Sequence, residues 1–84
     1  MRIPTAQTVE RRAAKAAWFT SHPAAFDWLV NNTDTPLRKL VTMSQCRVMV
    51  AELKADGLYS QSTVVVDIAA AMRRIALTIQ RNTP

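Results

Sequence analysis

The residues of this chain with chemical reach are a short polar run, Ser60-Gln61-Ser62-Thr63, and a set of scattered cations. A glutamine amide presents a donor and an acceptor in one plane, so Gln61 can pair bidentately with the edge of an adenine. Ser62 and Thr63 can touch bases or phosphates through their hydroxyls. Gln61, Ser62 and Thr63 are therefore the candidate base-reading residues. Arg38, Lys39, Arg47, Ser60, Arg73 and Arg74 are the candidate phosphate contacts, since guanidinium, ammonium and hydroxyl groups are what hold a nucleic-acid backbone. Eleven Lys and Arg against six Asp and Glu give a net charge of +5, which favours a polyanionic partner.

Other chemistries lack their residues. His22 is the only histidine and Cys46 the only cysteine. A disulfide within the chain, a cysteine-built zinc site and a paired nucleophile and base are thus all excluded. Asp67 stands alone between apolar residues and no glycine-rich phosphate loop is present. The expectation is a non-enzymatic protein with no cofactor, no metal and no evident small-molecule ligand. The N-terminus lacks the apolar run of a signal peptide, and no stretch approaches the roughly 18 apolar residues of a membrane span. One free cysteine suits a reducing cytoplasm.

Few residues break the chain into elements: Pro4, Pro23, Pro36 and Pro84, with Gly57 the sole glycine. Long helices joined by short turns follow. The first starts after a Thr5 or Thr8 cap and runs through Val9 to Phe19, with Val9, Ala13, Ala16 and Ala17 on one face and Arg11, Arg12 and Lys15 as plain helix surface. Ser21 or His22 caps a second helix, about Pro23 to Val30, that turns Phe26, Leu29 and Val30 inward. Thr35 caps a short third helix with Pro36 at its first position. Ser44 caps a fourth, about Gln45 to Asp56, where Cys46, Met49, Val50 and Leu53 recur at helical spacing, and Gly57 ends it. Ser60 or Ser62 caps a fifth, running to about Ile79 with Val64, Ile68, Ala71, Met72, Ile75 and Ile79 on one face. The β-branched run Thr63 to Val66 could be a strand by propensity alone, but the sustained helical period decides for helix. Trp18, Phe19, Phe26 and Trp28 are most simply core.

From Leu53 to Ile68 the chain reads Leu-Lys-Ala-Asp-Gly-Leu-Tyr-Ser-Gln-Ser-Thr-Val-Val-Val-Asp-Ile. This stretch resembles the helix-turn-helix of bacterial and phage repressors, and its Ser-Gln-Ser-Thr-Val-x-x-Asp-Ile part resembles recognition helices of winged members. The turn from Gly57 to Val64 is one residue longer than in the commonest arrangement. A glycine lets the chain leave the first helix, Leu58 or Tyr59 plugs the gap, and a Ser/Thr-capped tip enters the major groove. Val64 and Ile68 then pack back onto Val50 and Leu53.

The expected fold is an all-α, compact bundle of about five helices spanning residues 1–84 as one domain, with the helix-turn-helix at about 45–79. The resemblance implies sequence-specific binding of double-stranded DNA by a transcriptional repressor or a plasmid or phage maintenance factor. It would act as a homodimer or in multiple copies on repeated half-sites, in a bacterial cytoplasm and nucleoid-associated when bound. The alternative is a small helical protein-interaction module, a phage- or plasmid-encoded inhibitor of a host protein. An exposed patch of Val65, Val66, Ala69 and Ala70 would mark it. Basic groups converging on Gln61 would mark the DNA binder.

Overall fold

A computed structural model describes residues 6 to 82, with side chains from Glu10 onward. Five helices follow one another: α1 (Ala6–Ser21), α2 (Pro23–Asn31), α3 (Leu37–Leu40), α4 (Ser44–Ala55) and α5 (Val65–Asn82). No strand occurs among the described residues. The β-branched run before α5 is accommodated partly as loop and partly as the first helical turn. No helix is long and apolar enough to cross a membrane.

At α3 and α4 the start signals act one position away from where the residue types alone place them, while α2 begins at Pro23 behind one of its two expected caps. Pro36 is the N-cap of α3 rather than its first residue, and Thr35 Oγ1 donates to Asn32 Oδ1 instead of capping. Met43 is the N-cap of α4, so Ser44 lies inside the helix. His22, not Ser21, takes the junction of α1 and α2, and its Nδ1 donates to the Trp18 carbonyl at 2.8 Å. Thr8 falls within α1, and Thr5 lies outside the described residues.

The stop after α4 forms as its glycine demands. Gly57 has φ +80, the left-handed region, and its N–H donates to the Lys54 carbonyl while the N–H of Leu58 donates to that of Leu53, both at 3.0 Å. This pair of bonds is a Schellman motif, which satisfies carbonyls that the helix end leaves open. A Cβ at Gly57 would meet no atom within 4 Å, so backbone conformation alone requires glycine there.

Packing centres on α5, which touches each of the other four helices. Ile68, Ala69, Met72 and Ala76 are its buried residues, and Leu29, Leu40, Cys46, Met49 and Leu53 close on them from α2, α3 and α4. The stripe of α4 is buried as its spacing predicts. Two faces differ from expectation. Val64 is 55% exposed and precedes α5, while Ala71, Ile75 and Ile79 are only half-buried. Enclosure by four helices turns the buried arc toward Ala69 and Ala76 instead. On α1, Ala13 and Ala17 are exposed, and burial falls to Trp18 and Phe19. These two large aromatics bury more area than alanines can, and that sets the rotation of α1. The side chain of Val9 lies outside the described residues.

Two substitutions separate these causes. Ile68 is wholly buried on α5, so Ile68→Ala is expected to cost about 2–5 kcal/mol through lost burial and a cavity. Gly57→Ala is expected to cost about 1 kcal/mol through backbone strain alone. Chemical denaturation checks both, and a Gly57→Ala loss equal to that of Ile68→Ala would contradict the open space around the glycine.

Candidate nucleic-acid interface

The polar run expected at the tip of a helix lies in a loop. α5 begins at Val65, so Ser60, Gln61, Ser62 and Thr63 belong to the connection from 56 to 64, and neither Ser60 nor Ser62 caps the helix. Their short hydroxyls stabilise a turn instead, as Ser side chains do when they compete with helical hydrogen bonding. Ser60 Oγ lies 2.8 Å from Ser62 Oγ and accepts the Ser62 N–H at 3.2 Å. The Thr63 N–H donates to the Ser60 carbonyl at 3.1 Å. The first turn of α5 is left with exposed Val66 and Asp67, an apolar and an acidic group that give a phosphate backbone no grip. A connection of this length also exceeds the three- to four-residue turn, approximately, of a helix-turn-helix.

This loop is held at three points. Trp18 Nε1 donates to Asp56 Oδ2 at 2.9 Å, fastening the loop's start to α1. Lys15 Nζ sits 4.3 Å from the centre of the Tyr59 ring, a cation–π contact. Lys54 Nζ donates to the Gln61 carbonyl at 3.0 Å. Gln61 is exposed, and its backbone rather than its amide takes the lysine. The amide is thus free to bond elsewhere.

The same folding gathers cations that lie far apart in sequence. Arg11 and Lys15 of α1 line a shallow cleft with Gly57, Leu58, Tyr59 and Ser60, and Lys54 closes in from the end of α4. Arg12, Lys15 and Arg74 edge a second, larger groove between α1 and α5. Part of the α1 group, which by sequence reads as plain helix surface, therefore joins Lys54 beside the loop. The spacing of Arg11 and Lys15, one helical turn apart on the same side, was the available signal.

The other expected phosphate contacts part company. Arg38 and Lys39 on α3 and Arg47 in the first turn of α4 are exposed, and none of them lines either cleft beside the loop. Arg74 is exposed on α5. Arg73, expected to face a phosphate, is turned inward: its Nη1 donates to the carbonyls of Thr33 at 3.1 Å and Thr35 at 2.8 Å. The α2–α3 loop has backbone acceptors that no helix satisfies, and the guanidinium supplies donors that reach two of them. Val65 and Ala70 are half-buried and Ala69 is fully buried, so only Val66 of the four candidate patch residues is exposed.

Two protons are held tightly nearby. Burial pushes the Cys46 thiol up from its ordinary value, opposed by the charge of Arg73. Burial likewise raises the Tyr59 phenol, opposed by Arg74, and the Tyr59 hydroxyl has no hydrogen-bond partner among the described residues. No group of three or more potential metal ligands exists among the described residues. Comparison with the known protein families, with characterised proteins and with solved structures gives no match.

Arg73→Ala is expected to lower stability by about 2 kcal/mol, because two charge-assisted bonds are lost and two carbonyls are left under-satisfied. Its expected effect on polyanion affinity, measured on folded protein, is no more than that of removing one unit of net charge away from the loop. Alkali should unfold the protein by a separate route. Cys46 and Tyr59 hold their protons more tightly folded than unfolded. Their contribution to stability is therefore complete below the ordinary values of 9.0 and 10.0 and is lost as pH rises through the raised folded values. Melting temperature measured from pH 8 upward should fall beyond about pH 9; a flat profile to pH 11 would show that neither group is coupled to folding.

Proposed function

We propose that the chain binds double-stranded DNA through the α4–α5 loop and the cations of α1 and α4 that flank it. The observation carrying this reading is an exposed Ser60-Gln61-Ser62 turn beside Arg11, Lys15 and Lys54. The cleft there includes no carboxylate. Base contact falls to Gln61 and Ser62, and backbone contact to Arg11 and Lys15, with Thr63 half-buried behind them. Arg38, Lys39 and Arg47 contribute general attraction through the net charge of +5, while Arg73 is taken by the fold. A protrusion this small reads only a few base pairs, so two or more copies on repeated half-sites supply specificity. Repression of transcription, or plasmid or phage maintenance, is the role that suits such a domain.

The test is duplex binding by fluorescence anisotropy between about 50 and 300 mM salt, on sequences selected from a random pool, since phosphate contact releases counterions. Arg11→Ala should weaken all duplexes alike and shallow the salt slope by about one unit. Gln61→Ala should cost about 1–3 kcal/mol on the selected sequence alone. Affinity that ignores salt, or losses from Arg38→Ala and Lys39→Ala that exceed those of Arg11→Ala, would move the interface away from the loop or abolish it.

A further inference from the structure

The larger groove between α1 and α5 has a different character from the loop. Its volume is about 510 Å³, and its lining includes Ala16, Ala71, Ile75 and Ile79 together with Arg12, Lys15 and Arg74. From Ala71 to Ile79 it follows α5 for roughly 12 Å, about two helical turns. Alanines at Ala16 and Ala71 keep the two walls low, while isoleucines leave an apolar floor. The cations stand on both walls, Arg12 and Lys15 from α1 and Arg74 from α5, and no carboxylate lines the groove.

We infer that this groove docks an acidic amphipathic helix of a partner protein, its apolar residues on the floor and its carboxylates against Arg12 and Arg74. Charge complementarity selects acidic flanks, and the floor selects what lies between them. A DNA backbone would satisfy the cations but gain nothing from Ala71, Ile75 and Ile79, whereas an apolar stripe with carboxylates beside it uses both features. An elongated trough between two helices fits a helical segment better than a compact ligand does. This docking is independent of the DNA reading, although Lys15 and Tyr59 border both clefts, and the test therefore avoids those two residues.

The probe is a synthetic helical peptide of about four turns with leucine at i, i+3, i+4 and i+7 and glutamate at most other positions. It is titrated against the full chain and followed by calorimetry and methyl NMR. Saturable one-to-one binding is expected, with shifts at Ala16, Ala71, Ile75 and Ile79. Replacing the glutamates by lysine should weaken it more than about tenfold. Ala71→Phe, which fills the groove, and Arg12→Glu, an exposed change that does not touch the core, should each weaken it about tenfold. Duplex affinity of Ala71→Phe should stay at the parent value. Thermal melting verifies that each variant is folded, and Arg12→Glu keeps the test decisive if Ala71→Phe is not.

Several results would overturn the assignment. One is equal binding of a shuffled peptide of the same composition, which reports charge alone. Another is unaltered peptide binding by folded Arg12→Glu. Dimerisation of the free chain that Ala71→Phe abolishes would give the groove to a second copy. Displacement of the peptide by duplex, with Ala71→Phe weakening both, would give it to nucleic acid.

Discussion

One helix carries the packing of all the others. A short chain has little apolar surface to bury, and here α1, α2, α3 and α4 share a single wall, α5. That constraint reaches the charged residues. A helix enclosed on most sides can leave only a narrow arc to solvent, and on α5 the arc carries Asp67, Arg74, Thr78 and Arg81. Arg73, one residue from Arg74, falls on the enclosed side and must find acceptors inside the fold. The helix that sequence pattern presents as a reader of DNA is thus chiefly a structural member.

The loop before α5 gains its order from those margins. Of its apolar residues only Leu58 and Tyr59 pack against the core, while Val64 is exposed. The remaining restraints are polar and come from other elements: an indole N–H, an ammonium over a ring and a second ammonium on a carbonyl. Each is individually modest, yet together they set where Ser60 and Gln61 project. Trp18 matters most in this arrangement. It is buried in the core, stacks on His22 at 3.8 Å and bonds to Asp56, so one side chain links the core to the loop.

Much of the architecture was legible in sequence because it rests on local rules. Helical periodicity placed the buried stripe of α4, proline placed the breaks before α2 and α3, and Gly57 marked the end of α4. The failures arise where distant residues decide. Ser60 and Ser62 are good caps by type, but the turn they make with each other competes with capping, and α5 starts later. The inward turn of Arg73 depends on carbonyls 38 and 40 residues away. The tie from Trp18 to Asp56 likewise spans 38 residues. The position of Arg11 and Lys15 beside the loop follows from how α1 rotates to bury Trp18 and Phe19, and the periodicity of alanines in α1 points to a different face. Candidate base-reading residues could be named by chemistry, while their setting could not.

The order of helices along the chain has a consequence for how the protein comes into being. The common wall, α5, is the last of the five to be synthesised. Until it emerges, Leu29, Leu40, Met49 and Leu53 lack the wall they share, and among the earlier helices α1 and α2 have each other to pack against. Folding is therefore tied to completion of α5 rather than proceeding stepwise from the N-terminus. A chain interrupted before Ile68 would lack that wall and leave an unfinished core open to proteases and to aggregation.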